Sequence, residues 1–287
     1  MNKYILLLVL VGNLFYAQNQ RFSYTYQFVK DTLNKQEVSR ELMNLDIMKQ
    51  GSTFYSHDVQ VLDSVMNAYF EKQIKNTGSM NVDPKMMAQR KGSVRYRITK
   101  SYPDYKIASV LNIGIDQYKV SDDRKLAWTI LPDKQKIGEF NAQKAETEIY
   151  GRKWTAWFSS ELPFQDGPYK FHGLPGLIVK LEDHTGTHQF ELAGISKFTD
   201  SPERFAGFAG RNNEIAINQA QYRKMFLEDR NDPAKVIKQA TANGAVFQMT
   251  DQSGNIISTA EMIKNREQSA KSRNAKDNNH LEIDMLK

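Results

Sequence analysis

Chemistry in this chain would have to start from its five histidines, His57, His172, His184, His188 and His280. His184 and His188 are four residues apart, the interval that binds a metal when both lie on one face of a helix. Here the pair straddles Gly186, and no His-Glu-x-x-His pattern accompanies it. They read as solvated turn histidines, and no metal is expected. His172 precedes a glycine turn and is suited to hydrogen-bond its backbone. Ser159 and Ser160 beside Glu161 lack the Gly-x-Ser-x-Gly elbow of a serine hydrolase and are better placed to end a strand. Glu182 and Asp183 are adjacent, so on a strand they point to opposite faces and cannot converge as a glycosidase pair does. No phosphate loop, dinucleotide fingerprint or Ca²⁺ loop occurs, so no cofactor is expected.

Composition narrows the choice further. The chain of 287 residues has no cysteine, which excludes acylation on cysteine, zinc–thiolate modules, cysteine hydrolases and disulfide scaffolds. Its formal charge of +6 is a modest excess that favours anionic surfaces and solubility. Nucleic acid is not an expected partner at so small a charge. The start, MNKYILLLVLVGNLFYAQNQ, has one basic residue, an apolar run and the small residue Ala17. That is the layout of a secretory signal peptide over residues 1–17, cleaved before Gln18 and too short for a membrane span. Losing Lys3 with it takes the charge from +6 to +5. An exported, periplasmic or cell-surface protein is implied, with membrane contact only through the transient signal.

The elements that would position any site are mostly strands. RFSYTYQF sets Phe22, Tyr24, Tyr26 and Phe28 on one face and Ser23, Thr25 and Gln27 on the other, the period of a half-buried strand. VRYRI repeats this with Val94, Tyr96 and Ile98. Between them Val59, Leu62, Val65, Met66, Tyr69 and Ile74 fall near a 3.6 period, with Ser56 or Asp58 as cap and Gly78 beyond the end; this predicts an amphipathic helix. Residues 76–92 read as a long loop or weak helix. From 102 to 196 short runs such as KIASVL, AETEIY and RKWTAWFS are divided by turn signals, which predicts antiparallel sheet. Farther on, NQAQYRKMFLED and DPAKVIKQA predict short helices, the second capped by Asp232, and AVFQMT predicts a strand. The fold class is therefore α+β, mainly antiparallel sheet, curved or half-barrel. A single domain is expected over residues 18–263, followed by a polar tail over 264–287, a solvated helix or a disordered segment.

The least ordinary stretch is GPYKFHGLPGLIVKLED, residues 167–183. Leu177, Val179 and Leu181 alternate into a hairpin strand, with Asp183 and Gly186 in its turn. Gly173, Pro175 and Gly176 shape the entry: proline fixes φ and the following glycine supplies the positive φ of a type II turn. Around them Trp128, Trp154, Trp157, Phe158, Phe164, Tyr169 and Phe171 supply core packing. A curved sheet with surplus rings would also line an apolar pocket, with Trp154, Trp157, Phe171 and His172 as candidate binding residues.

With AWFSSELPF and YGRKWTAW ahead of it, this stretch resembles the signature of the GLPGLI family of exported Bacteroidetes proteins, over residues 105–196. The resemblance implies export and this sheet architecture, and it carries no biochemical activity. Many members have a cysteine near Ala142, so any role of that thiol does not transfer. The order of strands and turns is also similar to the half-barrels of periplasmic lipoprotein carriers, an analogy of pattern. The functional expectation is a binding protein, leaning away from an enzyme, for an apolar or amphipathic lipid-like ligand. The alternatives are an interaction module docking on an outer-membrane protein and an exported hydrolase.

Overall fold

The computed structural model describes residues 19–78, 91–113, 116–200, 205, 214–247, 249–250 and 255–286. The signal peptide expected over residues 1–17 lies outside these, as does most of the segment 76–92. The chain divides into two compact units, Met1–Phe28 with Arg40–Asn218, and Val29–Ser39 with Gln219–Lys287.

The first unit is built on an open sheet of twelve strands. In chain order they are β1 (Gln20–Val29), β2 (Val38–Met48), β3 (Gly51–Ser56), β4 (Arg97–Ser101), β5 (Lys106–Ile113), β6 (Asp116–Asp122), β7 (Thr129–Ile137), β8 (Phe140–Ile149), β9 (Arg152–Ser159), β10 (Leu177–Asp183), β11 (His188–Lys197) and β12 (Glu214–Asn218). Across the sheet the order is β12-β6-β5-β4-β3-β2-β1-β11-β10-β9-β8-β7. Two meanders therefore meet in the middle, where β1 pairs antiparallel with β11. At one edge β12 runs parallel to β6. Bulges at Ser23/Tyr24, Ile178/Lys180 and Ile130/Lys134 add local bend and twist, so the sheet curves.

One face of this sheet carries the core. The predicted alternation in β1 holds, with Phe22, Tyr24, Tyr26 and Phe28 buried. Cross-strand partners continue the face: Phe190 opposite Tyr26, Leu181 opposite Phe190, Ala156 opposite Leu181. On the other side of β1, Leu45 stands opposite Phe54 and Phe54 opposite Ile98.

The helix predicted after β3 forms as α1 (His57–Thr77), capped by the Ser56 side chain and ended by Gly78 at φ +68. Its apolar stripe does not seat as the period suggested. Val59 and Phe70 are buried, whereas Val65 is 51% exposed and Ile74 42%. The sheet's core face is occupied instead by the connection between β9 and β10.

The second unit contains α2 (Gln219–Asn231), α3 (Lys235–Ala242), a two-stranded ribbon of β13 (Met249–Thr250) and β14 (Ile256–Ile257), α4 (Thr259–Lys276) and a 3₁₀ turn (Ile283–Leu286). α3 starts later than the cap expected at Asp232: its N-cap is Ala234, without a side-chain cap bond, and Asp232 instead accepts from Lys238 at 2.8 Å. Residues expected as a polar tail from 264 onward form most of α4 and the 3₁₀ turn. They are tied in where Arg230 donates to the carbonyls of Asn274 and Asp277 (2.8 and 2.9 Å) and where Asn279 donates to the Val29 carbonyl (2.7 Å). Leu281 and Met285 are buried. Among the described residues no helix is long and apolar enough to cross a membrane.

Candidate functional site

The connection from β9 to β10, residues 160–176, carries the glycine–proline signature and folds back on the sheet's core face. It closes on itself: the Gly173 N–H donates to the Gln165 carbonyl (2.9 Å), the Phe171 N–H to Pro168 (3.2 Å) and the Ile178 N–H to Asp166 (3.0 Å). Asp166 and His172 face each other as an antiparallel bridge. Six consecutive residues, Asp166 to Phe171, are buried, which is unusual for a connecting loop, since loops ordinarily run over the surface. Phe171 packs on Trp154 at 4.9 Å between ring centres and Phe164 on Phe22 at 5.2 Å. The Tyr24 hydroxyl donates to the Ile178 carbonyl at 2.8 Å.

Burying a loop requires partners for its polar groups, and inward charges on the strands supply them. Lys100 on β4 is fully buried and ion-paired with Asp166. Its ammonium also donates to the carbonyls of Gly167 (2.7 Å) and Phe171 (3.2 Å), so its three N–H groups have three acceptors. Asp166 accepts in addition from Ser52 (2.6 Å), from the Tyr102 hydroxyl and from the Gly167 N–H (2.7 Å). Burial and the Asp166 charge hold the Tyr102 phenol well above its ordinary range. A second pin joins Lys170 of the loop to Asp122 of β6 at 2.7 Å. Arg124 braces that carboxylate at 2.6 Å, and the rings of Tyr150 and Tyr169 lie 5.6 and 5.3 Å from the ammonium. A third buried pair, Arg152 with Asp183 at 3.0 Å, lies at the β10–β11 hairpin. There Asp183 also accepts from the N–H groups of Thr187 and His188, both 2.8 Å.

These groups are structural in geometry. Ser52 donates its hydroxyl to Asp166 and is buried, so it is not accessible to a substrate. The cluster meets the surface at a rim of half-buried rings, Tyr102, Tyr105, Trp128 and His172. His172 stacks on Tyr105 at 4.4 Å and 11°, and its carbonyl accepts from the Trp128 indole at 2.8 Å. His172 Nδ1 lies 2.9 Å from the Lys170 carbonyl; because a carbonyl can only accept, Nδ1 carries the proton and Nε2 is the acceptor. Burial, aided by the charge of Lys100, pushes this imidazole below its ordinary value, so it is neutral at neutral pH. The rim offers flat rings and a neutral imidazole, which suits contact and hydrogen bonding.

The residues singled out from sequence do not form one lining. Trp154 and Phe171 do meet, but both are buried in the core, and His172 lies at the rim. Trp157 is half-buried and, one residue out of phase with Trp154 and Phe158 on β9, faces the other side of the sheet. Gly173 is exposed at φ +89, while Gly176 is buried at φ +153. Gly176 thus has a positive φ, but one far from the value of about +80 of a type II turn, and its need for glycine is also steric, because a Cβ there would lie 2.2 Å from the Ser159 carbonyl oxygen. His184 is exposed, as a turn histidine should be, but His188 is buried and pairs through Nδ1 with the Tyr26 hydroxyl at 2.7 Å. It lies on the inward face of β11, opposite Phe28. No group of three or more His, Asp or Glu side chains placed to hold a metal ion lies among the described residues.

Ser52, Lys100, Tyr102, Tyr105, Asp122 and Asp166 went unmarked in sequence. A signal was present for two of them. Val94, Tyr96, Ile98 and Lys100 share one parity, as do Tyr118, Val120 and Asp122, so a charge stands at an inward position of each strand.

The family model described as "Protein of unknown function (Porph_ging)" matches residues 146–180, the span of β9, the signature loop and the start of β10. No curated protein matches the chain. Among solved structures, "Structure of PNGF-II in P21 space group" is similar at 15% identity and a TM-score of 0.49. "Structure of PNGF-II in C2 space group" is similar at 14% identity and a TM-score of 0.48. Each match covers 75% of this chain and 34% of the other, so the chain spans about a third of the length of these proteins.

Proposed function

We propose that this chain is an exported, non-enzymatic binding module that recognises a macromolecular partner at its surface, through the rim of Tyr102, Tyr105, Trp128 and His172. The observation that carries this reading is the burial of Asp166 to Phe171 against the sheet. The apolar face that a lipid-like ligand would occupy in a carrier is filled by the protein's own loop and pinned by Lys100–Asp166 and Lys170–Asp122. Recognition then falls to groups at the surface, and half-buried aromatic rings are the side chains most enriched at protein interfaces. The amphiphilic start and the likeness of Gly173 to Ile178 to the GLPGLI signature support export, to the periplasm or cell surface, with an outer-membrane protein as the class of partner.

The test places a photo-reactive amino acid at Tyr105 or Trp128 and irradiates intact cells. A discrete adduct with one envelope protein is expected from both positions and not from exposed Lys153 on β9. Equal labelling from Lys153, or no adduct from either rim position, overturns the reading. The mature N-terminus of the native protein should lie near Gln18; a native chain starting at Met1 removes export.

A further inference from the structure

The second unit holds a cleft of its own. It has a volume of about 410 Å³ and runs along one face of α4, where Met262, Asn265, Arg266, Ser269, Ala270 and Arg273 follow at helical spacing. Pro233, Ile237 and Ile257 complete the lining, and Asp229 is the one carboxylate among the described lining residues. From Met262 to Arg273 is eleven residues, or about 16 Å of helix at ~1.5 Å per residue. One end is thus apolar and the other polar. Ile237 on α3, Ile257 and Met262 are only half-buried among the described residues, so apolar surface remains open in the cleft.

The polar end is cationic. Arg266 is occupied, donating to the Pro233 carbonyl at 2.6 Å. Arg273 makes no ion pair or hydrogen bond among the described residues. An adjoining depression of about 620 Å³ shares Arg273 and adds Gln268, Ser272 and Lys276. Among the described lining residues, Arg266, Arg273 and Lys276 outnumber the single carboxylate, and Arg273 with Lys276 puts positive charge at one end of the slot.

We propose that this cleft binds a single-chain amphipathic carboxylate of the fatty-acid type, its acyl chain along Met262, Ile257 and Ile237 and its head group on Arg273. The volume lies in the range of small-molecule sites, roughly 300–1,000 Å³. An unpaired guanidinium beside apolar walls is matched by an anionic head on an apolar chain, and a carboxylate suits its fork. This site is separate from the rim and stands or falls independently of it.

The experiment is calorimetric titration of the purified full chain with dodecanoate below its micellar concentration, with decanoate and dodecyltrimethylammonium as comparisons. Saturable one-to-one binding of dodecanoate at micromolar Kd is expected, weakening roughly fifteenfold for decanoate, which has two fewer methylenes, since each buried methylene contributes about fourfold. Arg273→Glu should weaken dodecanoate about tenfold. Ser269→Trp, at an exposed position, should abolish binding by filling the slot. Both variants should melt as the wild type does. Absence of saturable dodecanoate binding, equal affinity for the cationic amphiphile, or affinity unchanged in both variants overturns the proposal.

Discussion

Alanine at Gly176 tests whether the signature loop is held by close approach of backbone to backbone. A Cβ built there lies 2.2 Å from the Ser159 carbonyl oxygen, 2.5 Å from its carbon and 2.8 Å from the Ser160 nitrogen. None of these atoms is the end of a flexible side chain. Ser159 is paired with Leu177 across β9 and β10, and the neighbouring N–H groups of Leu177 and Ile178 are committed to Leu162 and Asp166 at 2.9 and 3.0 Å. The methyl group can be admitted only by prising the strands apart and lengthening those bonds. Overpacking of this kind costs about 1–3 kcal/mol, and the φ of +153 adds about 1–3 kcal/mol of backbone strain for any L side chain. The sum is about 4 kcal/mol, a fall in Tm of about 8–16 °C for a unit of this size. Gly173→Ala is the internal control: φ is +89, and nothing lies within 4 Å of the added Cβ. Only the dihedral penalty of about 1–2 kcal/mol applies there, a fall of roughly 4 °C. Calorimetric melting and the near-ultraviolet circular dichroism of Trp154, which packs on Phe171 of the loop, would read both. Equal losses at the two glycines, or an unchanged Tm for Gly176→Ala, would refute the close-approach argument.

Two further outcomes follow from the buried ions. Lys100→Met should destabilise the sheet unit by about 3–5 kcal/mol, because it leaves the Asp166 carboxylate buried without its counter-charge, whereas Lys144→Ala, which breaks the surface pair with Glu146, should leave the urea midpoint close to that of the wild type; similar effects from both would show that the loop is not pinned by ions. Burial pushes the Asp122 carboxyl up, but the hydrogen bond from Arg124 and the charge of Lys170 outweigh it and hold the group well below the usual carboxylate range. A depressed folded value means that the contribution of Asp122 is complete above about pH 4 and is lost as pH falls toward the folded value. Urea midpoints measured from pH 5 to pH 2 should therefore fall less steeply for Asp122→Asn than for the wild type, and parallel curves would contradict the assignment.

The sequence alone determined the elements whose cause is local. The alternation of Phe22, Tyr24, Tyr26 and Phe28 determines a strand with one buried face, because side chains on a strand repeat every two residues whatever they pack against. Ser56 and Gly78 bracket α1, because caps satisfy backbone groups within their own turn. The parity of Lys100 with Val94, Tyr96 and Ile98 was also legible, and it placed a charge on the inward face. Its partner was not legible: Asp166 lies 66 residues on, in a loop whose composition reads as a turn, and the pairing exists only because the β1–β11 contact brings the two meanders into one sheet. The same holds for His188, which local spacing assigned to a solvated turn and which the register opposite Phe28 turned inward to Tyr26. Periodicity likewise predicted a helix at α1 and gave it an apolar stripe, but what covers the sheet is a competition between segments. The signature loop won that face because it brings Lys170, Asp166 and Phe171 to complementary partners on β4, β6 and β9, a match that only the assembled sheet defines.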